Sequence, residues 1–366
     1  MKVLYLFAGE ERKANISNIL RRRGATVLEI DIIRNPQQDL TKLEQRQHYL
    51  ELIRNKTWDV VITSPPCDTF SRAKMANLLG PAPTRSLGYP RGLPNLPKPL
   101  FLRNQLGNIL ADFSWEACIE QLTSNPSGFL VKEHPEDLGR VASGHFAGCS
   151  PASIWQWEQH SQCIALGARS VGIRQIDFGT SYVKPTRLLL KLDDYNDLTD
   201  EFFQGLPEFS EDRTYLGPIP HIKGATSLVR RASDSGFRTS GTASWPEKLC
   251  FKLADLLQAA YTRREKSTLQ KATHTTTLTE TQVTQTTTAV TPSTSSKDYP
   301  VHLPPANYNK GGSVQSEKSG CLTSATSTMT AWGSLALADT TKTAGRSRQG
   351  KDGKLSDKKS REYLGI

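Results

Sequence analysis

The chain has no long hydrophobic run, no closely paired cysteines and no internal repeat, and each absence narrows what it can be. No segment approaches the roughly 20 consecutive apolar residues that a membrane-spanning helix requires. The amino-terminal VLYLFAG stops at EERK, too short for a secretory signal core and without a small-residue cleavage pattern. A soluble intracellular protein is expected, nuclear or cytoplasmic and not secreted, with no membrane partner. The six cysteines (67, 118, 149, 163, 250 and 321) are scattered, which argues against a zinc ribbon and against a compact disulfide framework. They read as reduced thiols, and no metal is expected. Without a repeat, a solenoid or propeller is excluded.

What is present points to one substantial core. At 366 residues, with 37% hydrophobic and 22% charged residues, the chain can bury one substantial core, with room for a smaller lobe, and one main domain is enough. The net charge of +10 and the pI near 9.3 favour a polyanionic partner, because Lys and Arg that neutralise phosphates release condensed counterions. Part of that excess sits near the carboxyl terminus, in GRSRQGKDGKLSDKKSR. Composition breaks near residue 266, where THTTTLTETQVTQTTTAVTPSTSS begins a stretch too poor in large apolar residues to offset the entropy of ordering it. The reading is a folded unit over 1–266 and a disordered Ser/Thr-rich and basic tail over 267–366.

Within the folded unit, LYLF, TVLEIDII and WDVVIT have the look of successive strands. ANISNILRRRG between the first two has helical spacing, basic residues in its last turn and Gly24 as a stop. TKLEQRQHYLELIRN between the second and third opens with Thr41 and Glu44 at capping-box spacing and can turn Leu43, Leu50 and Ile53 inward. The expected βαβαβ unit implies a parallel sheet with ligands at the carboxyl ends of its strands. Those ends carry Phe7-Ala8-Gly9, then Glu29 and Asp31, then Ser64-Pro65-Pro66-Cys67. A glycine turn lets a ligand approach the backbone, and a carboxylate suits ribose hydroxyls. The prolines stiffen the turn and leave the thiol projecting from it. Further along, VGIRQIDFGTSYVKPTRLLLKL at 171–192 reads as two strands joined by a polar turn. A terminal helix is expected from Ser244 or Pro246, with Leu249, Leu253, Leu256 and Leu257 as its apolar stripe. Trp155 and Trp157 read as packing residues.

In these residues the chain resembles the cytosine-5 DNA methyltransferases. The likeness lies in FAG at 7–9, the acidic Glu29 and Asp31, Asp39 in QQDL, and SPPC at 64–67. It is similar in particular to a divergent branch, often found beside mobile elements, in which PPC is followed by TFSRA (69–73 here) and a GP-x-P-x-R stretch (80–85 here). The resemblance implies an α/β, Rossmann-like, S-adenosylmethionine-dependent methyltransferase fold with a mostly parallel sheet. Asp31 then holds the cofactor ribose, Asp39 lies near its adenine, Phe7 and Gly9 border the methionine part, and Glu29, Ser64 and Pro65 complete the cofactor set. Cys67 is the implied nucleophile. A thiolate that adds to C6 of cytosine makes C5 nucleophilic, and a carboxylic acid held at N3 assists. Glu133-His134-Pro135 resembles the family's Glu-Asn-Val or Glu-Asn-Pro, with His134 in place of Asn, so Glu133 takes that role. Lys184-Pro185-Thr186-Arg187 resembles the arginine-containing motif, with Arg187 as the cation at cytosine O2 or at the glutamate, and Lys184 in support. Arg72, Lys74, Arg85 and Lys184 are the implied nucleic-acid contacts, to DNA, with RNA also open.

The chain departs from the family in three places. Glu10 and Glu11 stand where a second glycine is usual; a Pro/Gly/Arg-rich insertion spans 72–107; and the variable region 193–243 is short for an independent target-recognition domain. Two other readings stay open. One is a catalytically decayed methyltransferase-like protein that binds nucleic acid or acts as a scaffold. The other is an amino-methyltransferase on DNA or RNA, although those enzymes generally follow Ser-Pro-Pro with an aromatic residue where Cys67 stands.

Overall fold

The computed structural model describes residues 1–76, 81–136, 140–141, 145–192, 223–226, 228, 231–233, 236–237 and 242–283. Six strands form one sheet: β1 (Lys2–Leu6), β2 (Thr26–Ile30), β3 (Val60–Thr63), β4 (Phe129–Pro135), β5 (Arg169–Arg174) and β6 (Pro185–Lys191). Their spatial order is β2-β1-β3-β4-β6-β5. The first four run parallel, and β6 lies antiparallel between β4 and β5. The expected α/β, Rossmann-like fold with a mostly parallel sheet is therefore present. Every residue of β3 is buried, as a strand covered on both faces requires.

The helices make two layers. α1 (Ile16–Arg22) is capped by Asn15, whose side chain accepts the Asn18 N–H at 2.8 Å, and it ends at Gly24, with φ +84°. α2 (Leu43–Arg54) follows, then the short α3 (Ala73–Ala76), the long α4 (Lys98–Ser124), α5 (Glu158–Ala165) and α6 (Glu247–Val283). Ile16, Ile19 and Leu20 of α1 join Leu249, Leu253, Leu256 and Leu257 of α6 over one face of the sheet, with Val3, Ile62, Val131 and Leu188. Each fully buried leucine there contributes about 1.5–3 kcal/mol. The opposite face meets Tyr49 and Ile53 of α2, Phe113, Trp115 and Cys118 of α4, and Cys163 of α5. Trp155 and Trp157 pack in this second cluster, as read from sequence.

Four local expectations change. α2 starts from Lys42 without a side-chain cap, so the capping box at Thr41 is not formed; Leu43 is exposed and Tyr49 joins Ile53 as the buried pair. The Pro/Gly/Arg-rich insertion ends earlier than residue 107, because α4 begins at Lys98 with Pro97 as its N-cap. α6 continues through residues 267 to 283, so the first part of the segment read as disordered is helical; residues 284–366 lie outside the described residues. Cys67, Cys118, Cys163 and Cys250 are free thiols, but Cys149 is disulfide-bonded, against the reading of all six as reduced. Most of the variable region 193–243 lies outside the described residues, apart from 223–226, 228, 242–243 and a two-stranded ladder of β7 (Arg231–Ser233) and β8 (Gly236–Phe237). Among the described residues no helix is long and apolar enough to cross a membrane.

Candidate active site

The carboxyl ends of β1 to β4 converge on one edge of the sheet, and the chain makes unusual turns there. Phe7 leaves β1 in the left-handed region (φ +63°), and Gly9 follows at φ +67°. The Phe7 and Ala8 N–H groups both donate to the Ile30 carbonyl at the end of β2. Asp31 closes the turn by accepting the Gly9 N–H at 2.7 Å on one carboxylate oxygen and the Ile33 N–H at 2.9 Å on the other. A Cβ placed on Gly9 meets no atom within 4 Å, so the space above this turn is open.

The other acidic residue of β2 does something else. Glu29 is buried, and its carboxylate is held by Arg21 at 2.7 Å, Arg34 at 2.8 Å and Asn15 at 3.3 Å. Arg34 also donates to the Gly9 carbonyl at 2.5 Å. The expected role of Glu29 in cofactor binding is corrected: its oxygens are committed to fixing α1 and the Arg34 loop against the glycine turn. Asp31, one residue beyond the strand, keeps a second lone pair on each oxygen. Asp39 lies near the same edge, where one oxygen caps the Thr41 N–H at 2.9 Å.

After β3, Ser64 sits within 3.4 Å of the Tyr5 hydroxyl, Pro65 is buried, and Cys67 is half-buried ahead of a one-turn 3-10 helix, Asp68–Phe70. Burial pushes the Cys67 thiol above its ordinary pKa; the Lys184 ammonium pulls the other way, and Glu133 adds to the rise. Glu133, near the end of β4, is buried at 6% exposure. Burial raises its carboxyl, while Lys184, the Trp245 indole and Lys132 oppose the rise. Its Oε1 atom and the Trp245 indole Nε1 are both buried without completing a hydrogen bond among the described residues. An unsatisfied buried carboxylate oxygen is costly, and it is met here in a group poised to be protonated.

The cation that meets this pair is Lys184. It acts electrostatically on both Cys67 and Glu133, and its Nζ donates to the Thr242 carbonyl at 2.6 Å. Its backbone is strained, at φ +28° directly before Pro185, where an extended conformation is normal. Among the described residues four non-glycine positions have positive φ, and two of them, Phe7 and Lys184, border this edge. Such strain persists only where surrounding structure enforces it, and it clusters at functional sites.

Arg187 is corrected. In the β4–β6 ladder Glu133 lies opposite Leu188 and His134 opposite Arg187, so alternation sends Arg187 to the other face of the sheet. There it grips Glu136 in a buried bidentate pair, at 2.8 and 2.5 Å. His134 occupies the same face, edge-on to Phe70 and Trp155, and burial, with Lys132 nearby, pushes its pKa well down.

Arg85 is corrected as well. It is 2% exposed and bonds to Thr69, Asn108, the Asn104 carbonyl and the Pro90 carbonyl, so it does not reach a phosphate. Arg72 donates to the Arg140 carbonyl at 2.9 Å from a partly exposed position. Lys74 lies within electrostatic reach of Cys67, and burial brings its pKa down to about 8. Among the described residues no cluster of His, Cys, Asp and Glu could hold a metal ion.

No family model and no curated protein matches this chain. Solved structures give faint likenesses. The S. pombe Dnmt2 methyltransferase superposes with TM-score 0.30 at 14% identity, over 58% of this chain and 57% of its own. The Entamoeba histolytica methyltransferase EhMeth gives 0.26 at 10%, over 53% and 54%. An E. coli protein assigned as a DNA modification methyltransferase encoded within a prophage gives 0.27 at 16%, over 57% and 53%. The chain thus spans little more than half the length of each. Superpositions this weak decide nothing about activity, and the strand order and the site stand on their own geometry.

Three residues of this edge escaped the sequence reading. Trp245 was visible only as the start of a helix, yet it leans on Tyr5 with ring centroids 5.8 Å apart and turns its indole toward Glu133. Tyr5 was one apolar residue in a strand. Lys132 alternates with Glu133 and is fully buried on the opposite face, bonded to Ser114 and 4.2 Å from the Trp115 ring centroid. Only the Lys-Glu pair inside the apolar run FLVKEHP hinted at that burial.

Proposed function

We propose that the chain is an S-adenosylmethionine-dependent methyltransferase that acts on cytosine C5 in DNA through a covalent Cys67 adduct. The observation that carries this reading is that Cys67, after β3, and Glu133, near the end of β4, lie within electrostatic reach of each other and of Lys184, on the strand-end edge that also bears the open Gly9 turn. The residues present fit the cofactor: Asp31 keeps acceptor capacity for ribose hydroxyls, Asp39 lies near the same edge, and the space above Gly9 is open. S-adenosylmethionine, when bound, supplies an electrophilic methyl group to the substrate carbon.

The chain's own residues prepare that carbon. Cys67 is a protonated thiol at neutral pH, so its proton must pass to solvent water before sulfur can attack; Lys184 favours the thiolate. Sulfur adds to C6, and the C5–C6 π electrons move into the ring as Glu133, whose raised pKa keeps a proton within reach, holds or protonates N3. C5 then carries the electron density needed for carbon–carbon bond formation. Transfer of the C5 proton to water, departure of the Cys67 sulfur as thiolate and return of any N3 proton to Glu133 restore the ring. A duplex base is out of reach of such a site, so the cytosine must be extruded at a cost of a few kcal/mol.

Incubation with S-adenosylmethionine and DNA containing 5-fluorocytosine tests the proposal, because fluorine blocks the final elimination. A stable protein–DNA adduct that Cys67→Ser abolishes is the expected result. Absence of both adduct and 5-methylcytosine from protein that binds the cofactor overturns it. Methylation on an exocyclic amine, read by nucleoside mass spectrometry, moves the chemistry to another atom.

A further inference from the structure

Arg85 came from the sequence as a phosphate contact, and its burial raises a different question: what is a guanidinium doing inside, next to the turn that carries Cys67? The one-turn helix after Cys67 has two buried side chains, Thr69 and Phe70, and its Phe70 N–H donates to the Cys67 carbonyl at 3.0 Å. Arg85 engages both buried residues. One of its terminal nitrogens donates to Thr69 Oγ1 at 3.0 Å, and its guanidinium lies 4.0 Å from the Phe70 ring centroid. The same fork reaches α4, at the Asn104 carbonyl (3.0 Å) and Asn108 Oδ1 (2.6 Å), and the proline-rich loop, at the Pro90 carbonyl (2.9 Å).

The helix is shaped to receive it. Gly107 leaves the room: a Cβ there would stand 2.8 Å from Thr69 Oγ1 and 3.0 Å from an Arg85 terminal nitrogen. Asn104 and Thr84 exchange two hydrogen bonds, at 2.8 and 2.9 Å, that hold the loop alongside. On the outside of the turn, Asp68 pairs with Arg103 of α4, but both are well exposed and such a pair is weak. The inner anchor is the strong one, since a buried guanidinium fork fixes direction as well as distance.

We propose that Arg85 is the positioning residue of Cys67: by clamping Thr69 and Phe70 to α4 it sets where the sulfur stands relative to Glu133 and Lys184. This inference rests on the proposed role of Cys67 for its effect on turnover, but not for its effect on the thiol itself. Lysine at position 85 keeps the charge and loses the fork, and valine at position 69 keeps the shape and loses the acceptor.

The test therefore has two arms, on Arg85→Lys and on Thr69→Val, the second being the milder change should the first fail to fold. In the DNA arm, adduct formation with 5-fluorocytosine DNA is expected to slow roughly ten- to hundred-fold in Arg85→Lys and less in Thr69→Val, with cofactor affinity unchanged. In the thiol arm, alkylation of Cys67 by iodoacetamide, resolved by peptide mass spectrometry across pH, is expected to speed up at least about threefold, with its midpoint moved to lower pH, because a loosened turn exposes the sulfur to water. Opposite signs in the two arms are what a positioning role produces. If wild-type protein forms no adduct but the thiol arm behaves as stated, the proposed function fails and the positioning stands. If both variants alkylate as wild type does, or form adducts at the wild-type rate, the positioning role is overturned.

Discussion

Glu133 and Arg187 stand on adjacent antiparallel strands yet project to opposite faces of the sheet, because Glu133 lies opposite Leu188 in the ladder and Arg187 lies opposite His134. The cation that acts most strongly on the candidate acid is accordingly Lys184, the strained residue directly before β6.

This separation makes the two cations behave differently on mutation. Lys184→Met is expected to lower the rate of adduct formation by about ten- to a hundredfold while leaving the melting temperature near that of wild type. It also removes the charge that opposes the rise of the Cys67 pKa, so the pH profile of Cys67 alkylation should move upward. Stopped-flow alkylation checks the sign; an unchanged profile contradicts the assignment.

Arg187→Met should act on stability first. It removes the bidentate partner of buried Glu136, and breaking a buried pair by removing one partner costs about 3–5 kcal/mol. The double replacement of Arg187 and Glu136 by apolar residues of similar volume should recover much of that loss. Urea denaturation of the two variants measures it.

Gly9→Ala separates folding from binding. The left-handed backbone at φ +67° costs a non-glycine residue about 1 kcal/mol, and the new methyl enters open space rather than another side chain. Little loss of melting temperature is expected, with S-adenosylmethionine affinity reduced about tenfold or more, by calorimetry. Normal affinity would place the cofactor elsewhere.

Lys132 gives a pH signature. Burial brings its folded pKa down to about 8 from 10.5, so the unfolded chain binds the extra proton between those values. Below pH 8 the full cost of a buried charge is present; as pH rises from about 8 to 10.5 that cost disappears and stability increases. Lys132→Met lacks this titration. The stability of wild type relative to the variant should therefore improve across that interval, by about 3 kcal/mol. Parallel pH–stability curves for the two proteins contradict the burial of this amine.

Much of the frame was legible. Apolar runs at Leu4–Leu6, Val27–Ile30 and Val60–Thr63, with helical periodicity between them, foretold β1, β2 and β3 and their parallel order. Cys67 and Glu133 were placed correctly at the ends of β3 and β4, because a strand end followed by proline is a local signal. Leu43 was misjudged because the start of α2 depends on a cap that loses to the turn at Asp39–Lys42. Arg85 was misjudged because a basic residue in a Pro/Gly stretch looks solvated until its partners, at Asn104 and Asn108 in the next helix, are known.

By itself the sequence determined the strand-helix alternation and the residue types at each strand end, since both follow from spacing within a few positions and from the backbone restrictions of glycine and proline. Only the tertiary structure decided which cation meets Glu133, which acid keeps free lone pairs, and that Trp245 and Tyr5 wall the same edge. Those outcomes depend on cross-strand register and on packing between residues far apart in the chain: a shift of one position sends a side chain through to the other face of the sheet, and no local pattern encodes the partner it meets there.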